Sequence, residues 1–434
     1  MVKVLVISRG PWSSDNNTGN TLNNLFSGFE DAEIHNLYFR EEKPGKNPCK
    51  SIFRISEKQL VKSIRSRKPC GAAVEKAEAG DDGAKKEKAI YDAGKKMNLY
   101  TPWLIREWIW SLGKWKRGPL DGYVDGIAPD LIFMPVFGCW YPHKVLRYIS
   151  RLPGAEKAKI ILFHGDDNYT LKQYRFSPVF WIFRLILRKW VRRSVKIADV
   201  NCCISDLQKE EYEKAFGREF VLLRKKGDFS GEPKLKASFN SPLKLVYTGN
   251  VSTGRWETLE MIARSLDTIN ADGVRAELHV YTGNPLTEKM KRAFDSPSLV
   301  FHGSAPSEQM GPIQEDADIL VHVESFTMKH KLRVRQSFST KIVDYLGKGR
   351  CILAAGPADV ASLKYFLDNG AAFTATDKKT FKDRIGELVS MTPEELNAYA
   401  EKAWDVGRTL HGEDADSVKS IYREMIAENG GTEE

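Results

Sequence analysis

The run Ser-Phe-Ser-Thr-Lys-Ile-Val-Asp-Tyr-Leu-Gly-Lys-Gly-Arg at 337–350 sets two adjacent hydroxyls, Ser339 and Thr340, beside the Lys341 ammonium and one turn from the Asp344 carboxylate. Ile342, Val343, Tyr345 and Leu346 give the stretch a helical apolar face, and either Ser339 or Thr340 suits its N-cap. Gly347 and Gly349 end it ahead of a second apolar run. Free backbone N–H groups, hydroxyls and an ammonium at one helix start make a receptor for an anion, and a nucleotide diphosphate is the natural one. The plainer reading is a capped helix with a solvated lysine, and this segment alone does not choose between the two.

Other groups with chemistry lie after short apolar runs. Tyr-Thr-Gly-Asn-Val-Ser-Thr-Gly-Arg from residue 247 carries Asn250 and Arg255. A guanidinium suits bidentate phosphate contact. His164, Asp166 and Asp167 close the run Ile-Ile-Leu-Phe-His that begins at residue 160. One histidine in such a place is more often structural, but three titratable groups on one strand end mark a candidate site. Gly19, in Asp-Asn-Asn-Thr-Gly-Asn-Thr-Leu at 15–22, would let backbone approach a ligand closely; a polar strand-to-helix turn is the simpler account. No metal-ligating motif is recognised, so no cofactor and no obligatory metal are expected.

These groups need strands that end at a common edge. Apolar, β-rich runs at 2–8, 131–135, 160–164 and 200–204 alternate with helical periodicity, and runs at 244–248, 277–282, 299–302, 319–323 and 351–354 repeat the scheme. That alternation is the signature of βαβ units and a parallel sheet. The chain of 434 residues is long enough for two such domains. The expected division is one domain over 1–227, a second over 243–405, and a C-terminal helix within 406–434 packing back on the first. The stretch 228–242, with its Gly, Pro, Ser and Lys, is the expected hinge. Residues 58–96, rich in Lys, Glu, Ala and Gly, are read as an insertion. Ligands of open α/β sheets bind beyond the carboxyl ends of the strands, which is where the groups above stand.

The net charge of +9 favours anionic partners without choosing among them. The six cysteines show no metal or redox spacing, which points to a reducing compartment. The N-terminal run lacks a signal-peptide pattern, and no stretch has the ~20 apolar residues of a membrane span. A cytoplasmic protein is expected. The region 179–196 has apolar residues at helical spacing beside Arg184, Arg188, Arg192 and Lys196, a pattern that would also attract an anionic membrane at its inner face. A nucleic-acid partner is not expected, since no binding module accompanies the charge.

The segment 337–350 resembles the donor-binding motif of family-4 retaining glycosyltransferases, particularly bacterial enzymes of cell-surface polysaccharide synthesis with a Ser-x-Lys-Ile-x-x-Tyr-Leu core. Residues 247–259, 15–22, 160–169, 203–217 and 128–133 resemble further segments of the same family, in the same order. The resemblance implies the GT-B architecture, two Rossmann-like parallel-sheet domains facing a central cleft, with 1–227 on the acceptor side and 243–405 binding the nucleotide-sugar donor. It also implies that His164, Asp166 or Asp167 stands near the transferred sugar and orients it or the acceptor. It implies transfer of a sugar, with retention, from a nucleotide-sugar donor to a glycan or lipid-linked acceptor. Of the family's two glutamates, the one that touches the donor sugar falls on Gln336 and the one that touches the ribose on Asp344; Glu324 could substitute for the first. Arg255 and Lys341 fall where donor phosphates are neutralised. Because Gln336 lacks the charge, a catalytically silent glycan-binding or partner-stabilising module is a competing reading, as is another GT-B enzyme such as a nucleotide-sugar epimerase.

Overall fold

The computed structural model describes residues 1–13, 17–74 and 101–430. Two sheets organise it. The first has eight strands in the order β4-β3-β2-β1-β5-β6-β7-β8. These are β1 Val2–Ser8, β2 Ala32–Tyr38, β3 Ser51–Arg54, β4 Ala72–Ala73, β5 Leu131–Pro135, β6 Lys159–His164, β7 Val200–Cys203 and β8 Val221–Leu222. All pair in parallel except the edge strand β4, which runs antiparallel to β3. The second has six strands in the order β11-β10-β9-β12-β13-β14. They are β9 Leu243–Thr248, β10 Ala276–Tyr281, β11 Leu299–Gly303, β12 Ile319–Val323, β13 Cys351–Ala355 and β14 Phe373–Ala375, all parallel.

Both sheets are covered on two faces, as parallel sheets must be. Along β1, Leu5 and Ile7 join the cluster of Trp110, Leu187 and Val191 on one side. Val4 and Val6 join Leu22, Leu25, Val418, Ile421 and Met425 on the other. The period of two thus splits one apolar run between two cores. Helix Val418–Gly430 therefore packs on the first sheet. Helix Pro393–His411 precedes it and runs past the expected boundary at 405, burying Leu396, Ala400, Ala403 and Trp404 against the second domain.

Part of the expected insertion at 58–96 belongs to the fold. Helix Glu57–Ser66 begins with a capping box between Ser56 and Gln59 and buries Leu60, and β4 extends the sheet. Residues 75–96 of that region lie outside the described residues, as do Asp15 and Asn16 of the loop at 15–22 and residues 431–434 of the C-terminal segment.

The helix Pro178–Ile197 corrects the expected basic stripe. Arg184 is buried and paired with Asp167 at 3.0 Å. Arg188 donates to the Tyr169 carbonyl at 2.7 Å and lies over that ring, and Arg192 donates to the Tyr169 hydroxyl at 2.6 Å. Arg184 and Arg188 thus clamp the loop after β6 instead of joining one solvated face, while Arg192 bonds that loop from an exposed position. The face turned to water carries Val179, Ile182 and Leu185, followed by Lys189, Arg192 and Lys196.

Candidate active site

A cavity of about 350 Å³ opens at the carboxyl ends of β9, β10 and β11, lined among others by Gly249, Asn250, Gly283, Ser304, Lys341 and Asp344. Lys341 begins the short helix Lys341–Leu346, which Ile342, Val343 and Leu346 anchor in the core. Thr340 holds the N-cap position but makes no side-chain cap bond, so the expected capping hydroxyl is not used there. Lys341 Nζ reaches across to donate to the Thr248 carbonyl at 2.9 Å. It passes over Gly249, where an added Cβ would stand 2.0 Å from Nζ and where φ is +150°. Glycine at 249 is therefore a steric requirement of the lysine's position. Burial pushes the Lys341 ammonium down to about 8, with Arg255 adding to the shift and Asp344 opposing it. An ammonium has three N–H donors and Thr248 takes one, which leaves donors for an anion in the cavity. Tyr345, one turn on, bonds through its hydroxyl to Thr248, whose own hydroxyl accepts from Gln314 at 3.1 Å.

Arg255 and Glu324 are held by each other. Arg255 donates to both carboxylate oxygens, at 2.6 and 3.1 Å, with Glu324 wholly buried after β12. Burial pushes Glu324 up and Arg255 opposes it. Two donors of the guanidinium expected to meet phosphate are thus taken by a buried carboxylate, which fixes its position and leaves its other N–H groups for a further partner. Its positive charge also bears on His322, which burial pushes down to about 3. Asn250 is exposed on the turn after β9, its side chain accepting from the Ser252 N–H at 2.7 Å.

Across the cleft, the two domains meet at a polar cluster. Gln336 is buried and turned toward the first domain, where its amide donates to Glu211 on helix Asp206–Phe216. Arg335 grips the same carboxylate with bonds of 2.7 and 2.6 Å, and Lys172 adds a second cation at 2.6 Å. Burial would raise Glu211, but Arg335, Lys172 and Gln336 outweigh it and hold the carboxyl down to about 2. Ser337 donates to Asp166 at 3.0 Å. Asp166 keeps solvent access on the rim although both domains crowd it, and that crowding raises its pKa. Lys225, just after β8, pairs with Asp344. Ser339 lies half-buried between Phe338 and Thr340 on the turn into the helix.

Three expected site residues have other work. His164 is fully buried between the rings of Tyr212 and Phe220, its nitrogens make no hydrogen bond of ordinary geometry, and burial pushes it down to about 3. It packs the first core as a neutral ring and does not face the cleft. Asp167 is a structural acceptor, taking bonds from the Tyr169 and Thr170 N–H groups at 3.1 and 2.8 Å besides its pair with Arg184. Gly19 is needed for a contact within the chain, since an added Cβ would stand 1.8 Å from the Ser13 carbonyl oxygen. Conversely, Glu211, Arg335 and Lys225 were not singled out in the sequence, because their roles come from contacts between domains. Two Asp-x-Asp spacings stand in the sequence, and their carboxylates have partners within the chain or lie away from the cavity. Asp318 precedes β12, at the end away from the cavity, and accepts from Lys236 and Asn240; Asp316 pairs with Lys244. The other, Asp414 and Asp416, lies between the last two helices. Among the described residues, no cluster of three metal-binding side chains is present.

No protein-family model matches the sequence, and no curated protein does. Solved structures do match. The chain superposes on a TarM variant from S. aureus crystallised with fondaparinux, α-GlcNAc-glycerol and UDP, with a TM-score of 0.58 at 11% identity over 99% of both chains. It superposes on α,α-trehalose 6-phosphate synthase from Burkholderia multivorans with a TM-score of 0.56 at 12% identity, covering 100% of this chain and 98% of that one. The fold is GT-B. The pneumococcal O-GlcNAc transferase GtfA in complex with UDP and GlcNAc also matches, at a TM-score of 0.53 and 8% identity over 99% of both chains. In the GT-B frame of this chain, the cavity around Lys341 belongs to the second domain, and the Glu211 cluster bridges it to the first.

Proposed function

We propose that this chain is a glycosyltransferase that transfers a sugar from a UDP-sugar to a glycan or lipid-linked acceptor with retention, in cell-surface polysaccharide synthesis. The observation that carries the reading is Lys341, a largely buried ammonium with spare donors, held over Gly249 at the mouth of the strand-end cavity. A buried ammonium without a carboxylate in direct contact is costly, and a diphosphate is the ligand that would repay it. UDP appears in the matched TarM and GtfA complexes, which supports this choice of donor.

In the proposed reaction the anomeric carbon–oxygen bond to the diphosphate breaks and the acceptor hydroxyl bonds to that carbon from the same face. The acceptor proton passes to the leaving phosphate oxygen. Lys341 takes up the charge that develops there, and the Arg255–Glu324 pair orients the field around it. Asp344 would receive the ribose, and Asp166, exposed on the cleft rim, would orient an acceptor. No protein nucleophile and no metal is required by this scheme. The work would take place at the inner face of the cell membrane.

A thermal-shift screen against UDP, GDP and their sugars tests the reading. A rise in melting temperature with UDP that Lys341→Met removes is the expected result. Absence of any nucleotide effect would refute it. A second reading, a catalytically silent GT-B module, is favoured by one observation: the Gln336 side chain binds Glu211 across the domains. It predicts nucleotide binding with no hydrolysis of any nucleotide sugar.

A further inference from the structure

We propose that the first domain docks on an anionic lipid bilayer through an apolar ridge made by two helices and a basic groove beside it; this deepens the membrane-side reading above and rests on it. Helix Thr101–Leu112 turns Ile105, Trp108 and Leu112 to water, with Trp108 67% exposed. Helix Pro178–Ile197 turns out Ile182 and Leu185, 57% and 56% exposed. The two helices come together there, because Leu104, Ile105 and Trp108 wall one cavity of about 420 Å³ with Ile186, which follows Leu185 on the second helix. Glu107 fixes the first helix to the fold by accepting from the Trp140 N–H at 2.6 Å. Large aliphatic and indole side chains at helical spacing on one exposed ridge mark a surface built for an apolar contact.

The charge beside the ridge names the occupant. A groove of about 740 Å³ starts at Ser111 and Leu112, on the same helix, and gathers Lys114, Lys116, Arg117, Lys144, Arg147 and Arg151. Its floor is aromatic: Lys116 lies over the Trp115 ring and Lys144 over Trp190. Among the described residues, no carboxylate lines it. Asp121 lies behind it and accepts from the Tyr148 hydroxyl at 2.7 Å. Along the other helix the exposed stripe passes from Ile182 and Leu185 to Lys189, Arg192 and Lys196 at three- and four-residue steps. Cations bordering a water-facing indole and aliphatic ridge match the phosphate layer of a bilayer above its acyl boundary. A soluble phosphate would have no use for the ridge, and a nucleic acid would leave it bare.

Co-sedimentation of the full chain with vesicles tests the proposal. Vesicles of equal parts phosphatidylcholine and phosphatidylglycerol should pull the protein down, vesicles of phosphatidylcholine alone should do so far less, and salt should weaken the difference. Each exposed cation removed should lower partitioning about fivefold, so Lys114→Gln with Lys116→Gln should lower it roughly 25-fold. Trp108→Ser with Leu185→Ser should also release the protein. Both double variants should keep the wild-type melting temperature and UDP response, which shows that they fold. Equal binding to both vesicles, binding to neither, or unchanged binding by folded variants would overturn the proposal, as would capture by duplex DNA in place of vesicles. If UDP leaves the melting temperature of wild type unmoved while vesicle binding behaves as described, the donor reading fails and the docking surface stands.

Discussion

Lys341→Met removes a charge and keeps the stem, and its effect on stability and on binding should have opposite signs. The drop from an ordinary lysine at 10.5 to about 8 corresponds to roughly 3 kcal/mol, at 1.36 kcal/mol for each pH unit. That is the destabilisation of the folded chain, at neutral pH, from holding the ammonium largely out of water. Loss of the bond to the Thr248 carbonyl gives back about 1 kcal/mol. Lys341→Met should therefore stabilise the free protein by roughly 2 kcal/mol, a rise in melting temperature of roughly 4–8 °C. The pH dependence follows from the sign of the shift. Between about 8 and the ordinary lysine value, the unfolded chain holds a proton that the folded chain has lost. Wild-type stability consequently rises with pH over that interval, and the advantage of the methionine variant shrinks. For UDP the order reverses. A charge-assisted hydrogen bond contributes roughly 1.5–3 kcal/mol, so the variant should bind UDP about tenfold to a hundredfold more weakly. Melting curves at pH 7 and pH 9.5, with and without UDP, read both effects together. A destabilised methionine variant, or one that UDP stabilises as much as wild type, would refute the placement of the diphosphate on Lys341.

Gly249→Ala should reproduce the loss of UDP affinity with no change at residue 341, because the new methyl occupies the space of the ammonium; calorimetric titration with UDP checks this. Arg255→Ala should lower stability by about 3–5 kcal/mol, since it leaves Glu324 buried and unpaired; denaturant unfolding should show that Arg255→Met with Glu324→Leu recovers most of the loss. His164→Phe should leave any transfer activity within a few-fold of wild type, and the pH–rate profile of both should lack a histidine limb near 6–7, because His164 and His322 are both held neutral down to about 3.

Much of the architecture was legible because parallel strands buried on both faces read as plain apolar runs. β1, β5, β12 and the centres of β6, β7, β9, β10 and β13 stand at the expected positions within a residue or two. β2 was missed for a physical reason. It carries His35 and Asn36 inside the sheet, where Asn36 donates to the Val6 carbonyl and the Ser8 hydroxyl and accepts from the Trp12 N–H. Polar residues satisfied by neighbouring strands erase the apolar signal without weakening the strand. β4, β8 and β14 are two or three residues long, too short for a period to show. In the site, the 337–350 run pointed to Lys341 and Asp344 because the anion-binding pattern is local. Arg255 was legible as a cation but not as the partner of Glu324, 69 residues away. The same holds for Gln336, whose partner Glu211 is 125 residues away in the other domain. A sequence shows which side chains can pair, and the fold decides which of them are left for a ligand.

Slow release of UDP from UDP-sugars in the absence of acceptor is the most direct measurement of the central claim, because it requires both donor binding and cleavage of the anomeric bond. Across a panel of UDP-linked hexoses and N-acetylhexosamines, wild type should release UDP from at least one sugar, and Lys341→Met should reduce that release by two orders of magnitude or more. UDP binding with no release from any sugar, or release that Lys341→Met leaves unchanged, would contradict the account.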